Sequence, residues 1–180
     1  RGIIRSETAS GKSLIIAYII KTLFEHKVNK KSLIIVPTIS LVEHFYDDLI
    51  EYGYFTKDTL GKVYEKYKEF DRPVVISTWQ TLSKNHNRLP EFECVICDEV
   101  NGAKAHEIKK ILNLCTNADY RLGFTGTMPL TDLDIWNVKS YLGPIIREYG
   151  AGQLGKEGYI SKANIIIVDI KYQNDYKGTY

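Results

Sequence analysis

The stretch Ser6-Glu7-Thr8-Ala9-Ser10-Gly11-Lys12-Ser13 follows the apolar run Gly2–Arg5 and leads into a longer apolar segment. A strand, a polar loop and a helix in this order bring loop N–H groups and the positive end of the helix dipole together, and these bind anions. Gly11 lets the backbone approach a phosphate, Lys12 reaches the β- and γ-phosphates, and the Ser13 hydroxyl ligates Mg²⁺. The stretch therefore predicts an ATP-binding phosphate loop formed by Thr8, Ala9, Ser10, Gly11, Lys12 and Ser13.

This loop alone leaves an alternative open. Ser6 occupies the position of the first glycine in the general phosphate-loop motif. An ordinary capped helix start carries similar Ser and Thr residues, with its lysine in solvent. A second signal is therefore needed to distinguish a nucleotide site from a capped turn.

The second signal is a pair of carboxylates, Asp98 and Glu99, which follows the apolar run Val95–Cys97. In a nucleotide-hydrolysing site, the first carboxylate holds Mg²⁺, usually through water, and the second orients and deprotonates the attacking water. An acidic pair is a weak signal by itself, but this one ends a strand of the same predicted sheet as the phosphate loop. Together they predict a nucleotide hydrolase with catalytic residues Lys12, Asp98 and Glu99 and Mg²⁺ ligands Ser13 and Asp98.

Strand-like and helix-like segments alternate along the chain. The predicted strands are Gly2–Arg5, Ser32–Val36, Gly61–Tyr64, Val74–Ser77, Cys94–Cys97 and Arg121–Thr125. The predicted helices are Lys12–His26, Ser40–Glu51, Trp79–Lys84, Ala105–Leu114 and Asp132–Tyr141. Several strands are apolar on both faces, as strands buried between two helical layers are. The pattern predicts an α/β domain with a mostly parallel sheet, helices on both faces, and ligands at the carboxyl ends of the strands.

Size and charge restrict the possible functions. A chain of 180 residues is too short for two full α/β lobes, and its net charge of +2 excludes a histone-like basic coat. Nucleic acid would therefore have to bind in a local groove. No run approaches the roughly 20 apolar residues that cross a bilayer, so no membrane partner is expected. Cys94 and Cys97 fall on opposite faces of one strand, which argues against a zinc or redox site and favours reduced thiols in the cytoplasm.

Five sequence motifs occur in a familiar order. ETASGKS, IIVPTISLVEHFYDDL, VVISTWQTL, VICDEV and LGFTGTMP follow one another as helicase motifs I, Ia, Ib/Ic, II and III do. From Arg1 to about Lys162 the chain resembles the first RecA-like lobe of superfamily-2 DExH-type helicases, which has a P-loop NTPase fold. Within that superfamily it is most similar to phage UvsW-type recombination helicases and to the motor subunits of type III restriction enzymes.

The resemblance implies further roles for individual residues. Nucleic acid, DNA rather than RNA, would be contacted by Pro37, Thr38, Thr78, Trp79 and Gln80. Nucleotide state would be coupled to strand contact by Asn101, Thr125, Gly126 and Thr127, with Thr125 or Thr127 contacting Asp98 or Glu99. Asn101 replaces the usual histidine and cannot be protonated, and Gly126 replaces a common alanine. Trp79 could equally pack in the core. A solvated face is expected from Lys57, Lys62, Lys66, Lys68, Arg72 and Lys84.

The domain prediction places a RecA-like lobe with a truncated N-terminal edge at residues 1–150, a linker at 151–162, and the start of a truncated second lobe at 163–180. In this family the second lobe supplies arginine fingers, so slow hydrolysis is expected from the chain alone. The predicted location is the cytoplasm of a bacterial or virus-infected cell. Two alternatives stay open: a P-loop NTPase or kinase that acts without nucleic acid, and a non-catalytic module that binds nucleotide or DNA.

Overall fold

The structure, a computed structural model, describes residues 1–6, 10–99, 105–128 and 131–149. Its strands are Gly2–Ser6 (β1), Ser32–Val36 (β2), Leu60–Tyr64 (β3), Tyr67–Lys68 (β4), Val74–Thr78 (β5), Cys94–Asp98 (β6), Tyr120–Thr125 (β7) and Ile145–Tyr149 (β8). Its α-helices are Lys12–Glu25 (α1), Ile39–Glu51 (α2), Trp79–Leu82 (α3), Ala105–Leu114 (α4) and Asp132–Leu142 (α5), and a 3₁₀ helix spans His86–Glu91. The predicted linker at 151–162 and the predicted start of a second lobe at 163–180 lie outside the described residues.

All these strands belong to one sheet, in the spatial order β4-β3-β5-β2-β6-β7-β1-β8. Every neighbouring pair is parallel except β3 and β4, which form a short antiparallel hairpin. Parallel strands end at the same edge of a sheet, so the residues after β5, β2, β6, β7 and β1 line up along one carboxyl edge in that order. The predicted, mostly parallel α/β sheet is confirmed.

Helices cover both faces of the sheet, as predicted. One apolar layer lies under α1 and α2, and its members include Cys94, Ile16 and Phe45. The other lies under α3, α4 and α5 and includes Cys97 and Ile111. The two cysteines of β6 thus face opposite layers, and burial raises the pKa of the Cys94 thiol to about 12. A thiol protonated at neutral pH in a hydrophobic layer packs as a small apolar side chain.

Threonine side chains cap the N-termini of three of the helices. Thr38 follows β2 and its Oγ1 accepts a hydrogen bond from the Leu41 N–H at 3.3 Å, which caps α2. Thr78 ends β5 and caps α3 in the same way. Thr131 caps α5. The hydroxyls that mark strand ends in the sequence therefore also satisfy free N–H groups in the first turn of a helix.

Some elements differ from the sequence prediction. β8 was not expected, because Ile146, Arg147 and Glu148 on this edge strand are exposed and do not give it the apolar pattern of a buried strand. The helix predicted over Trp79–Lys84 ends at Leu82, and its last residues continue as turns toward the 3₁₀ helix. The four histidines are exposed. No helix among the described residues is long and apolar enough to span a membrane.

The edge of the sheet at β3 is covered by the chain that returns from β4. A Cβ placed on Gly61 would lie 2.5 Å from the carbonyl oxygen of Glu69 and 2.7 Å from Cγ of Arg72. The same segment is tied down where the Lys62 N–H donates to Oε2 of Glu69 at 2.8 Å. Only glycine allows the return segment to pass this close over the strand.

We expect Gly61→Ala to lower the free energy of unfolding by about 1–3 kcal/mol, because the Glu69 carbonyl must shift to make room for the new methyl group. Urea unfolding followed by circular dichroism measures this change. Lys57→Ala, at an exposed turn residue just before β3, is the control and should change the free energy by less than about 0.5 kcal/mol. Equal effects of the two substitutions would contradict the proposed close approach at Gly61.

Candidate functional site

The phosphate loop begins where β1 ends. Ser6 is buried and its Oγ donates a hydrogen bond to Oγ of Ser10 at 2.6 Å. Gly11 lies immediately before α1 with φ 76° and ψ 28°, in the left-handed region that favours glycine. The serine at the position of the usual first glycine therefore contributes a hydrogen bond within the loop. Thr8 and Ala9, which were also predicted to contact nucleotide, lie outside the described residues.

Lys12 connects the phosphate loop to the acidic pair. Its Nζ donates to the Ser6 carbonyl oxygen at 3.3 Å and lies 3.4 Å from Oε1 of Glu99. The Lys12 side chain is 13% exposed, so the ion pair is partly shielded from solvent. The phosphate loop and the acidic pair, which the sequence indicated separately, thus meet in space through Lys12.

Glu99 has an unusual backbone conformation directly after β6. Its φ is 55°, a left-handed value that costs a residue with a Cβ roughly 1 kcal/mol or more. The Glu99 carboxylate lies beside Lys12, with 3.4 Å between Oε1 and Nζ. Strained residues of this kind occur frequently at active sites, where the surrounding structure maintains them.

Asp98 is the most perturbed acid of the site. It is buried, and its Oδ1 has no hydrogen-bond partner among the residues the structure describes. Burial, reinforced by the nearby Glu99 carboxylate, raises the pKa of Asp98 to about 6, while Lys12 acts in the opposite direction. A buried carboxylate oxygen without a donor is well suited to a bound cation, whose charge would favour the ionised form.

The residues present fit a magnesium ion. The available metal ligands are the Asp98 carboxylate and the Ser13 hydroxyl, which are hard oxygen ligands of the type that Mg²⁺ prefers. Within the described ranges, no group of three or more His, Cys, Asp or Glu side chains could hold a metal ion. In nucleotide sites Mg²⁺ typically binds one or two protein oxygens and completes its shell with water and phosphate.

Motif III lies at the end of β7, between the phosphate loop and the acidic pair. Thr125 is fully buried, and its Oγ1 donates to the carbonyl oxygen of Thr127 at 2.5 Å. This bond joins the two threonines on either side of Gly126. The contact of Thr125 or Thr127 with Asp98 or Glu99, and the coupling role of this turn, stay predictions. Asn101 lies outside the described residues, so its coupling role stays a prediction.

A cavity of about 640 Å³ opens at the same edge of the sheet, beyond β2 and β5. Four of the five residues predicted to contact nucleic acid line it: Pro37, Thr38, Thr78 and Gln80. Trp79, the fifth, is partly buried and packs against the apolar layer under α3 and α4. The Trp79 side chain therefore takes part in core packing, which is the alternative that the sequence left open.

Two lysines of the cavity were not singled out in the sequence. Lys68 comes from the β3–β4 hairpin and Lys84 from the turn after α3, and both line the cavity together with Glu65. Both are exposed, as predicted for the group of solvated lysines, but nothing in the sequence indicates that the β3–β4 hairpin lies beside the end of β5. Lys62 differs from that group, since its Nζ lies 2.7 Å from Oε2 of Glu43 and its side chain is only 13% exposed.

Comparison with known proteins agrees with this geometry. The model of the family described as type III restriction enzyme, res subunit, matches residues 1–130. This chain belongs to that family. It is 28% identical, over 98% of its length, to the ATP-dependent DNA helicase uvsW of Enterobacteria phage T4 and covers 36% of that protein. It is 26% identical, over 84% of its length, to a putative DNA 3'-5' helicase, Rad25, of Haloarcula marismortui and covers 25% of it.

Solved structures support the same assignment. The crystal structure of the bacteriophage T4 UvsW helicase superimposes with a TM-score of 0.71 at 28% identity, over 82% of this chain and 54% of the other. The described part of this chain is thus the first RecA-like lobe of a superfamily-2 helicase fold, as the motif order indicated. The chain spans about a third or less of the length of the relatives named above.

We expect Asp98→Asn to stabilise the nucleotide-free chain at neutral pH. The folded-state pKa of about 6 exceeds the ordinary 3.8, so the folded chain binds the proton more tightly. The contribution of Asp98 to the free energy of unfolding therefore falls as the pH rises from about 4 to about 6. Asparagine removes this penalty and should raise the free energy of unfolding by about 1–3 kcal/mol above pH ~7.

Urea unfolding across this pH range, without nucleotide or Mg²⁺, tests the expectation, and the gain should disappear near pH ~4. Asp119→Asn, at an exposed position, is the matched control and should show no such pH-dependent gain. A destabilised Asp98→Asn chain at neutral pH would contradict a penalty for the buried carboxylate.

Proposed function

We propose that this chain is the ATP-binding motor lobe of a DNA helicase or translocase, which hydrolyses ATP with Mg²⁺ and grips a strand by its phosphates. The observation that carries the proposal is the shared carboxyl edge, along which the Lys12–Glu99 pair and the cavity at Thr38 and Thr78 lie side by side. DNA is favoured over RNA because the two sequence relatives are described as DNA helicases. The cellular location of this chain would be the cytoplasm of a bacterial or virus-infected cell.

The nucleotide chemistry follows from residues already close together. Lys12 would exchange its contact with Glu99 for a phosphate oxygen, which leaves the Glu99 carboxylate free to orient water and take its proton. Mg²⁺, held by Ser13 and Asp98, would neutralise charge on the β- and γ-phosphates. A second RecA-like lobe, which the family resemblance implies, would close over the same edge and add an arginine.

The grip on the strand would come from the cavity. Thr38 and Gln80 are exposed, and the helix α2 starts beside them, so hydroxyl, amide and N–H donors face the same space. Donors of this kind bind phosphates without reading base sequence. Lys68 and Lys84 add two positive charges to the lining of the cavity and Glu65 adds one negative charge, so the lining is positive overall.

The first test is Glu99→Gln, which keeps the size of the side chain and removes the base. We expect single-turnover ATP hydrolysis to fall about 10²–10⁴-fold, while Mg²⁺–ATP affinity changes little. Released phosphate measures the first quantity and fluorescence of a labelled ATP analogue the second. Glu93→Gln, in the turn before β6, is the matched control. Unchanged hydrolysis in the Glu99 variant, or none in the wild type, would favour the non-catalytic module.

The second test separates a DNA motor from an NTPase that ignores nucleic acid. We expect the double substitution Lys68→Ala and Lys84→Ala to weaken binding of a labelled oligothymidylate and to reduce the slope of log affinity against log salt by about 1–2. Fluorescence anisotropy at several salt concentrations measures both effects, with an oligouridylate compared alongside.

Lys57→Ala is the control for this pair, because residue 57 precedes β3 at the opposite edge of the sheet. It should leave the affinity and the salt slope almost unchanged. Equal effects of Lys57→Ala and the double substitution would indicate nonspecific attraction to the surface. No binding of either oligonucleotide by the wild type would support an NTPase that acts without nucleic acid.

A further inference from the structure

The side chains of Tyr52 and Ser13 form a hydrogen bond between the two helices on one face of the sheet. The Tyr52 hydroxyl lies 2.7 Å from Oγ of Ser13. Ser13 is in the first turn of α1, and Tyr52 directly follows α2, beyond the motif Ia stretch. We propose that Tyr52 positions the Ser13 hydroxyl for Mg²⁺ binding, an inference that rests on the nucleotide site proposed above.

The chemistry of a hydroxyl ligand explains why such a partner is needed. When a serine oxygen gives a lone pair to a cation, its proton must point away from the cation and toward an acceptor. The phenol oxygen of Tyr52 accepts hydrogen bonds, and it lies at hydrogen-bonding distance from Ser13. With the proton directed to Tyr52, the lone pairs of Ser13 remain free for Mg²⁺. Partners that orient a metal ligand in this way are typically worth about 10–100-fold in metal affinity.

Tyr52 is also held firmly enough to act as a fixed partner. Its ring is partly buried and packs against the apolar layer under α1 and α2. Its backbone N–H donates to the Asp48 carbonyl oxygen at 2.9 Å, which continues the hydrogen bonding of α2. A side chain fixed by packing and by its own backbone orients a ligand better than one on a free loop.

The test is a Mg²⁺ titration of nucleotide binding by the 180-residue chain and its Tyr52→Phe variant, with a fluorescent non-hydrolysable ATP analogue as the probe. We expect the variant to need about tenfold more Mg²⁺ for half-maximal binding. Binding of the analogue in EDTA should be unchanged, because the tyrosine would act only through the metal ligand. In a Ser13→Ala chain, which lacks the hydroxyl, adding Tyr52→Phe should have no further effect.

Tyr54→Phe is the matched control, since it removes a hydroxyl from a nearby tyrosine whose ring instead lies 5.2 Å from Nζ of Lys21. It should keep the wild-type Mg²⁺ requirement. An unchanged or lower Mg²⁺ requirement in Tyr52→Phe would overturn the inference, as would an equal loss of binding in EDTA, which indicates a merely structural role. Absence of Mg²⁺-dependent binding in the wild type would overturn the proposed nucleotide site and this inference together.

Discussion

Parallel pairing of β6 with both β2 and β7 aligns the carboxyl ends of these strands at one edge of the sheet. Adjacent strands are about 4.8 Å apart, so the acidic pair after β6 stands two strand spacings from the phosphate loop after β1 and one spacing from Thr38 after β2. A gap of roughly 10 Å needs two long side chains to bridge it, and Lys12 and Glu99 meet across it with 3.4 Å between Nζ and Oε1. The backbone pattern thereby places the acidic pair between the phosphate loop and the cavity.

Two features that lower the free energy of unfolding lie at the proposed nucleotide site. Asp98 is buried with an oxygen that has no donor in the described part of the chain, and Glu99 occupies a left-handed backbone conformation. Both features lower the stability of the nucleotide-free fold. In the proposed site a cation would satisfy Asp98, and a phosphate would release Glu99 from Lys12. Local departures from the best-packed structure are expected at functional sites, where the rest of the fold compensates.

Several residues that line the cavity at the other end of the carboxyl edge also stabilise the fold. Thr38 and Thr78 cap the helices that follow their strands, and Pro37 precedes the α2 cap. The N–H groups in the first turn of a helix that remain free point outward at the strand end, so the geometry that stabilises the fold would also supply donors for phosphates in the proposed function. The β3–β4 hairpin then adds Lys68 to this space, since its antiparallel turn folds back beside the end of β5.

Local patterns in the chain were enough to predict the phosphate loop, the acidic pair, most strands and helices, and the parallel sheet between helical layers. Each depends on neighbouring residues: apolar periodicity, Gly11 before a helix, two acids after a strand. Those patterns did not predict the spatial order of the strands or the edge strand β8. They also did not predict the packing of Trp79, the position of Lys68 and Lys84 at the cavity, or the hydrogen bond between Tyr52 and Ser13. These features depend on contacts between residues far apart in the chain, and so does the raised pKa of Asp98, because burial arises only when the layers pack together.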